Sequence, residues 1–167
     1  VLVLGRDATL VCAALLVDDP ASLDGVLVAV NPAPERGIAS SLRLGLAAAT
    51  ATPAPDGVLV LLGDQPRVRP AVVEAVAAAS ASAAEDALAV APAYAGDGAP
   101  NPVLVLPAGW GAAASLDGDR GLGPLLAAAP DRVIRVPVSG ANPDVDTPAD
   151  LAALAASEGS PSWPPSS

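Results

Sequence analysis

Six short runs rich in Val and Leu punctuate the chain: VLVLG at 1–5, GVLVAV at 25–30, GVLVLLG at 57–63, ALAVAP at 87–92, PVLVLP at 102–107 and RVIRVPV at 132–138. Most are continuously apolar instead of alternating, which is the pattern of strands covered on both faces. Between them lie helix-compatible segments, DATLVCAALL at 7–16, IASSLRLGLAAA at 38–49, PAVVEAVAAASA at 70–81 and TPADLAALAAS at 147–157. Strand and helix therefore alternate, predicting an α/β chain: a three-layer α/β/α domain around a mostly parallel sheet.

Two helix starts are well marked. Thr147, Pro148 and Asp150 supply a capping hydroxyl, a proline at the first helical position and an acid near the exposed amides, and Pro70 opens the helix after the GDQP turn. With 167 residues and no internal repeat or linker, the chain predicts one domain over 1–157. The last stretch, EGSPSWPPSS at 158–167, has Pro and Ser but no periodicity and is expected to be a disordered tail.

Composition narrows the function classes. No segment approaches the roughly 20 continuous apolar residues of a membrane span. The N-terminal stretch carries Arg6 and Asp7 in its middle with no basic leader, so a cytoplasmic protein without membrane association is expected. A net charge of -10 argues against a nucleic-acid surface, which needs clustered cations. All eight basic residues are arginine, and those beside turns (Arg6, Arg36, Arg67, Arg69, Arg120) are candidates for anion contacts, although solvated surface arginine is the plainer reading of each. The single cysteine, Cys12, lies in an apolar stretch and reads as buried filler. Histidine is absent, which excludes a Ser-His-Asp triad and a His-ligated zinc site.

Ligands of open α/β sheets bind beyond the carboxyl ends of strands, so polar residues just after apolar runs are the first candidates. In LLGDQP, Gly63 lets the backbone leave the strand and Pro66 stops pairing, which leaves the Asp64 carboxylate where a hard cation could meet it. A turn cap explains Asp64 equally well. NPDVDTPAD at 142–150 again places carboxylates at a helix entrance, and Asp64 with Asp144 or Asp146 would satisfy a magnesium ion that bridges phosphates; an ordinary helix cap explains this cluster too. NPAPERGIASSLRLGL at 31–46 joins a turn with Gly37 to hydroxyls at Ser40 and Ser41 and a helix N-terminus, a place that favours anions and close ligand approach, though it also reads as an N-cap. Two further glycine-rich turns, YAGDGAPNPVLVLP at 94–107 and LDGDRGLGPLL at 116–126, are weak signals singly.

Taken in order, these stretches resemble the MobA-like nucleotidyltransferases, most closely the branch containing molybdenum cofactor cytidylyltransferases. The likeness is carried by Asn31, GIASSLRLGL at 37–46, LGDQP at 62–66, GAPNPV at 98–103, GDRG at 118–121 and DVDTPADL at 144–151. It implies a Rossmann-like nucleotidyltransferase fold that joins a nucleoside monophosphate, CMP first, to a phosphorylated acceptor such as molybdopterin cofactor, with release of pyrophosphate. It implies Mg2+ held by Asp64 with Asp144 or Asp146, and catalytic roles for Asp64 and Asp146. Nucleotide binding falls to Asn31, Gly37, Ser40, Ser41 and Gly63, and acceptor binding to Gly98, Asn101, Pro102 and Asp119. The implied partners are CTP or GTP, the small-molecule acceptor and a molybdoenzyme.

The family opens with a strand and a glycine-rich loop bearing arginine and lysine around the triphosphate, whereas this chain opens on VLVLG and contains no lysine. The chain is therefore expected to be N-terminally truncated, without a central strand and the signature loop. Two alternatives remain open at this level: an NAD(P)H oxidoreductase of the nicotine-blue type from the same family, which the absence of G-x-G-x-x-G after a strand does not favour, and a non-catalytic nucleotide-binding or accessory domain.

Overall fold

The computed structural model describes residues 1–51, 53, 55–96 and 98–157; the predicted tail at 158–167 lies outside the described residues. In chain order the elements are β1 (Leu2–Leu4), α1 (Ala8–Asp18), β2 (Val28–Val30), α2 (Ile38–Ala49), β3 (Val58–Val60), α3 (Pro70–Ser80), β4 (Ala89–Tyr94), β5 (Val103–Val105), α4 (Trp110–Ala114), α5 (Gly123–Ala128), β6 (Val133–Val138) and α6 (Pro148–Ser157).

Among the described residues the strands form two sheets, not one. β1 and β2 pair in parallel, and a four-stranded sheet has the order β3-β5-β4-β6. Within the larger sheet β5 is antiparallel to both β3 and β4 while β6 is parallel to β4, so three strands share a direction and β5 is reversed. The reversal follows from the short return at 95–102, because a parallel strand would need a crossover of a dozen or more residues. Among the described residues β1 is laddered only to β2 and β3 only to β5, and helix α2 packs against β1 while its Leu42 and Leu46 join the core cluster that Val58 and Val60 of β3 pack against.

The larger sheet explains its own continuously apolar sequence. Val58 and Val60, Ala89 and Ala91, and Val103 and Val105 face one core with Leu42 and Leu46 of α2 and Leu125 and Leu126 of α5. Their neighbours in sequence, Leu59, Val90 and Leu104, face a second core on the other side with Val76 of α3. Both faces are covered, so alternation of polarity would bury polar groups at a cost. The three-layer arrangement predicted from the sequence is therefore present around this sheet. Pro92 lies past the two residues of β4 that pair with β5, and Pro137 lies on edge strand β6, so neither removes a donor that a neighbouring strand needs.

The chain from β1 to β3 departs from expectation. β1, β2 and β3 are half-buried at most positions, and α1 has no buried residue, with Leu10 at 70% and Val17 at 83% exposure. Cys12, expected as buried filler, is half-buried. α1 is apolar all round, the pattern of a helix that is ordinarily buried, and the described residues leave it exposed. No helix among the described residues is long and apolar enough to cross a membrane.

Candidate functional site

The first group of candidate residues gathers where β2 ends. Asn31 extends the ladder, donating its amide to the Leu4 carbonyl at 2.7 Å, and its side chain is 5% exposed. Its Oδ1 accepts from the Ala33 amide at 3.0 Å, while Nδ2 donates to Ser40 Oγ at 2.7 Å and Ser41 Oγ at 2.9 Å. Ser40 in turn donates to the Gly37 carbonyl at 2.8 Å. Asn31, Ser40 and Ser41 thus form one clamp that fixes the 31–37 loop to the first turn of α2.

Gly37 is required here by geometry. Its φ is 85°, and a Cβ would lie 2.5 Å from both the carbonyl carbon and oxygen of Gly118. That close approach docks the GDRG loop on the entrance of α2: Ala39 donates its amide to Gly118 O at 3.1 Å and Ile38 to Asp119 Oδ1 at 3.1 Å. Arg43 on α2 holds the other end of the loop by donating to the Leu116 carbonyl. The carboxylate of Asp119 therefore occupies the anion-favouring amides of the helix start. This bond places Asp119 on the Gly37 side of the structure. A cleft of about 380 Å³ opens at this junction, lined by Glu35, Arg36, Gly37, Asp117, Gly118 and Asp119.

The second group lies beyond the carboxyl ends of β3 and β6. After Val60 the chain turns through Gly63 and Asp64, both exposed, and a Cβ on Gly63 would meet nothing within 4 Å. The main-chain carbonyl of Asp64 accepts from the Val145 amide at 2.8 Å, which draws the 142–147 segment against the GDQP turn. Gln65, 3% exposed, donates Nε2 to Asp144 Oδ1 at 2.6 Å and accepts at Oε1 from Asn142 Nδ2 at 3.0 Å. Asp144 and Asp146 are exposed. Asp146 adjoins the cap of α6, where Asp150 Oδ2 accepts from the Asp146 and Thr147 amides and from Thr147 Oγ1, and Thr147 Oγ1 accepts from the Asp150 amide. These bonds to Thr147 hold the Asp150 carboxyl below its ordinary pKa. A second cleft, about 280 Å³, is lined by Arg67, Pro143, Asp144, Val145, Asp150, Ala153 and Leu154.

The third group, the loop between β4 and β5, touches the second directly. Gly98, at φ 145°, bridges to Asn142, and a Cβ there would stand 2.8 Å from the Asn142 amide nitrogen and carbonyl oxygen. Asn101 precedes a cis Pro102 that is fully buried, and its carbonyl accepts from Tyr94 Oη at 2.8 Å and Asn142 Nδ2 at 3.2 Å. Burial raises the Tyr94 pKa, with the Arg69 guanidinium opposing it. Arg69 is anchored across the site on the Ser139 carbonyl.

The structure thus brings Asp64, Asp144, Gly98, Asn101 and Pro102 into one hydrogen-bonded region, and places Asn31, Gly37, Ser40, Ser41 and Asp119 in another. The sequence reading gave no role to Gln65, Asn142 and Tyr94. Gln65 and Asn142 do lie near the quoted carboxylates in GDQP and NPDVD, but their burial and their pairing with each other appear only in the structure.

The model of the MobA-like NTP transferase domain matches residues 2–133. No curated protein matches the chain. Among solved structures, Rv0371c from Mycobacterium tuberculosis H37Rv is 33% identical, with 91% of this chain and 73% of that one covered and a TM-score of 0.71. A homolog of it from Mycobacterium sp. strain JC1 is 28% identical over 93% and 72% of the two chains, with a TM-score of 0.71. The M. tuberculosis protein in complex with manganese is 31% identical over 91% and 74%, with a TM-score of 0.70. With the family model spanning most of the chain and these neighbours sharing its fold, the chain belongs to the MobA-like NTP transferase domain family, a family of nucleotidyltransferases.

Proposed function

We propose that the chain transfers a nucleoside monophosphate, CMP in the first instance, from its triphosphate to a phosphorylated acceptor of the molybdopterin cofactor kind. An acceptor phosphate oxygen attacks the α-phosphorus, a new P–O bond forms, the bond to the bridging oxygen breaks, and pyrophosphate leaves. The observation that carries this reading is the junction of two distant segments at the mouth of β3, where Val145 bonds to Asp64 and Gln65 bonds to Asp144.

The residues there suit a divalent cation, Mg2+ or Mn2+. Among the described residues no group of three or more acidic, Cys or His side chains could cage an ion by itself. Asp64 and Asp144, with Asp146 next on the same segment, offer the one or two carboxylates that suffice when water and phosphate oxygens complete the coordination. A cation so bound neutralises charge on the reacting phosphates. A manganese complex of the M. tuberculosis neighbour supports the choice of metal class.

The chain's own part is positioning, the main contribution proteins make to phosphoryl-type transfer. The Asn31, Ser40 and Ser41 clamp fixes the wall of the 380 Å³ cleft, where Gly37 and Arg36 face the nucleotide. Gly63 leaves open space beside Asp64. Gly98, Asn101 and Pro102 form the acceptor side, and Asp119, which borders the cleft of Gly37, faces the acceptor from there. The test is pyrophosphate release with CTP, GTP or ATP, Mg2+ or Mn2+, and molybdopterin cofactor. Metal-dependent release, fastest with CTP, is expected; release no faster than without the chain overturns the reading.

A further inference from the structure

We propose that Gln65 and Asn142 are positioning residues that hold Asp144 in register with the acceptor loop, so that the metal side and the acceptor side of the site act as one hydrogen-bonded unit. The inference rests on the nucleotidyl-transfer reading above.

The unit runs from Tyr94 Oη to the Asn101 carbonyl at 2.8 Å, to Asn142 Nδ2 at 3.2 Å, to Gln65 Oε1 at 3.0 Å, and from Gln65 Nε2 to Asp144 Oδ1 at 2.6 Å. Its polarity is fixed step by step. The Asn101 carbonyl can only accept, so Asn142 must present its amide nitrogen, whose second proton goes to Gln65. Gln65 must then present oxygen to Asn142 and nitrogen to Asp144. Asn142 Oδ1 has no partner although the side chain is fully buried, so the orientation of Asn142 is set by its donors alone.

The two carboxamides are buried while the acid they orient is exposed. That is the layout of an outer shell supporting a ligand. A neutral donor to Oδ1 aims the carboxylate and leaves its charge and its Oδ2 for a cation, whereas an arginine in the same place would cancel the charge. Two buried carboxamides with one orphaned oxygen are a costly way to fill a core, since an apolar side chain of similar size would avoid the desolvation.

The test uses Gln65→Met, which keeps length and loses both hydrogen bonds, with Mn2+ and CTP as probes. Binding is read from the loss of the free Mn2+ electron paramagnetic resonance signal, folding from circular dichroism, and the metal activation constant is separated from kcat. Weakening of Mn2+ binding by about 10-fold or more is expected in the folded variant, with the metal activation constant moving more than kcat. If Gln65→Met does not fold, Asn142→Ser, which retains a donor but no longer spans to Gln65, is read in the same way. A folded variant that binds Mn2+ as tightly as the unaltered chain overturns the inference alone. Failure of the unaltered chain to bind Mn2+ with CTP overturns the nucleotidyl-transfer reading and this inference with it.

Discussion

The carbonyl of Gly118 occupies the space where a side chain on Gly37 would stand, 2.5 Å from the ideal Cβ. Gly37→Ala must displace main chain and also hold a φ of 85° that L-residues avoid. A loss of about 2–4 kcal/mol is expected in urea denaturation, combining left-handed strain with overpacking. Gly63→Ala, with open space and no left-handed φ, is expected within about 0.5 kcal/mol of the parent. Equal effects of the two substitutions would contradict the docking of the GDRG loop on α2.

Asp64 is exposed, so its side chain does little for the fold. Asp64→Asn removes the charge and keeps the shape. Thermal stability is expected to stay within a few degrees of the parent while metal-dependent pyrophosphate release falls about 100-fold or more. A folded variant with undiminished release would leave Asp64 as a turn residue only.

What could be read in advance divides along physical lines. α2 begins and ends where its apolar spacing predicts, and α6 begins at Pro148 behind the Thr147 and Asp150 cap, because these signals are local in the chain. The reversal of β5 was not legible: VLV has the same apolar pattern in either direction, and the loop length decides. The division into two sheets was equally hidden, since pairing depends on what lies beside a strand. In the site, Asp64 and Asp144 stood out as acids closing apolar runs, but Gln65 and Asn142 meet across a separation of 77 residues. A carboxamide acquires its role only from the partner opposite, and no spacing rule announces that.

Burial predicts a steep contrast between the helices. Leu126 of α5 is 3% exposed within the core, and Leu126→Ala is expected to cost about 2–5 kcal/mol through lost transfer energy and a residual cavity. Leu10 of α1 is 70% exposed, so Leu10→Ala is expected to change stability by less than about 0.5 kcal/mol. Urea denaturation of both variants checks this, and a large loss for Leu10→Ala would mean that α1 is covered in solution.

The cap of α6 gives a pH dependence with a defined sign. Asp150 accepts from Thr147 Oγ1 at 2.7 Å and from the Thr147 amide at 2.8 Å, bonds that favour the ionised form and hold its pKa below the ordinary value. The unfolded chain therefore binds the proton more readily than the folded one, and stability contributed by Asp150 rises with pH through that window. The contribution is complete above the ordinary carboxylate range and disappears as pH falls through the lowered folded-state value. Asp150→Asn keeps an acceptor for the amides but loses the charge that favours the helix N-terminus. The parent is expected to melt above Asp150→Asn at neutral pH, with the gap closing in strong acid. Thermal melts of the pair across that range check the sign, and a gap that widens on acidification would show that protonated Asp150 is the form the cap prefers.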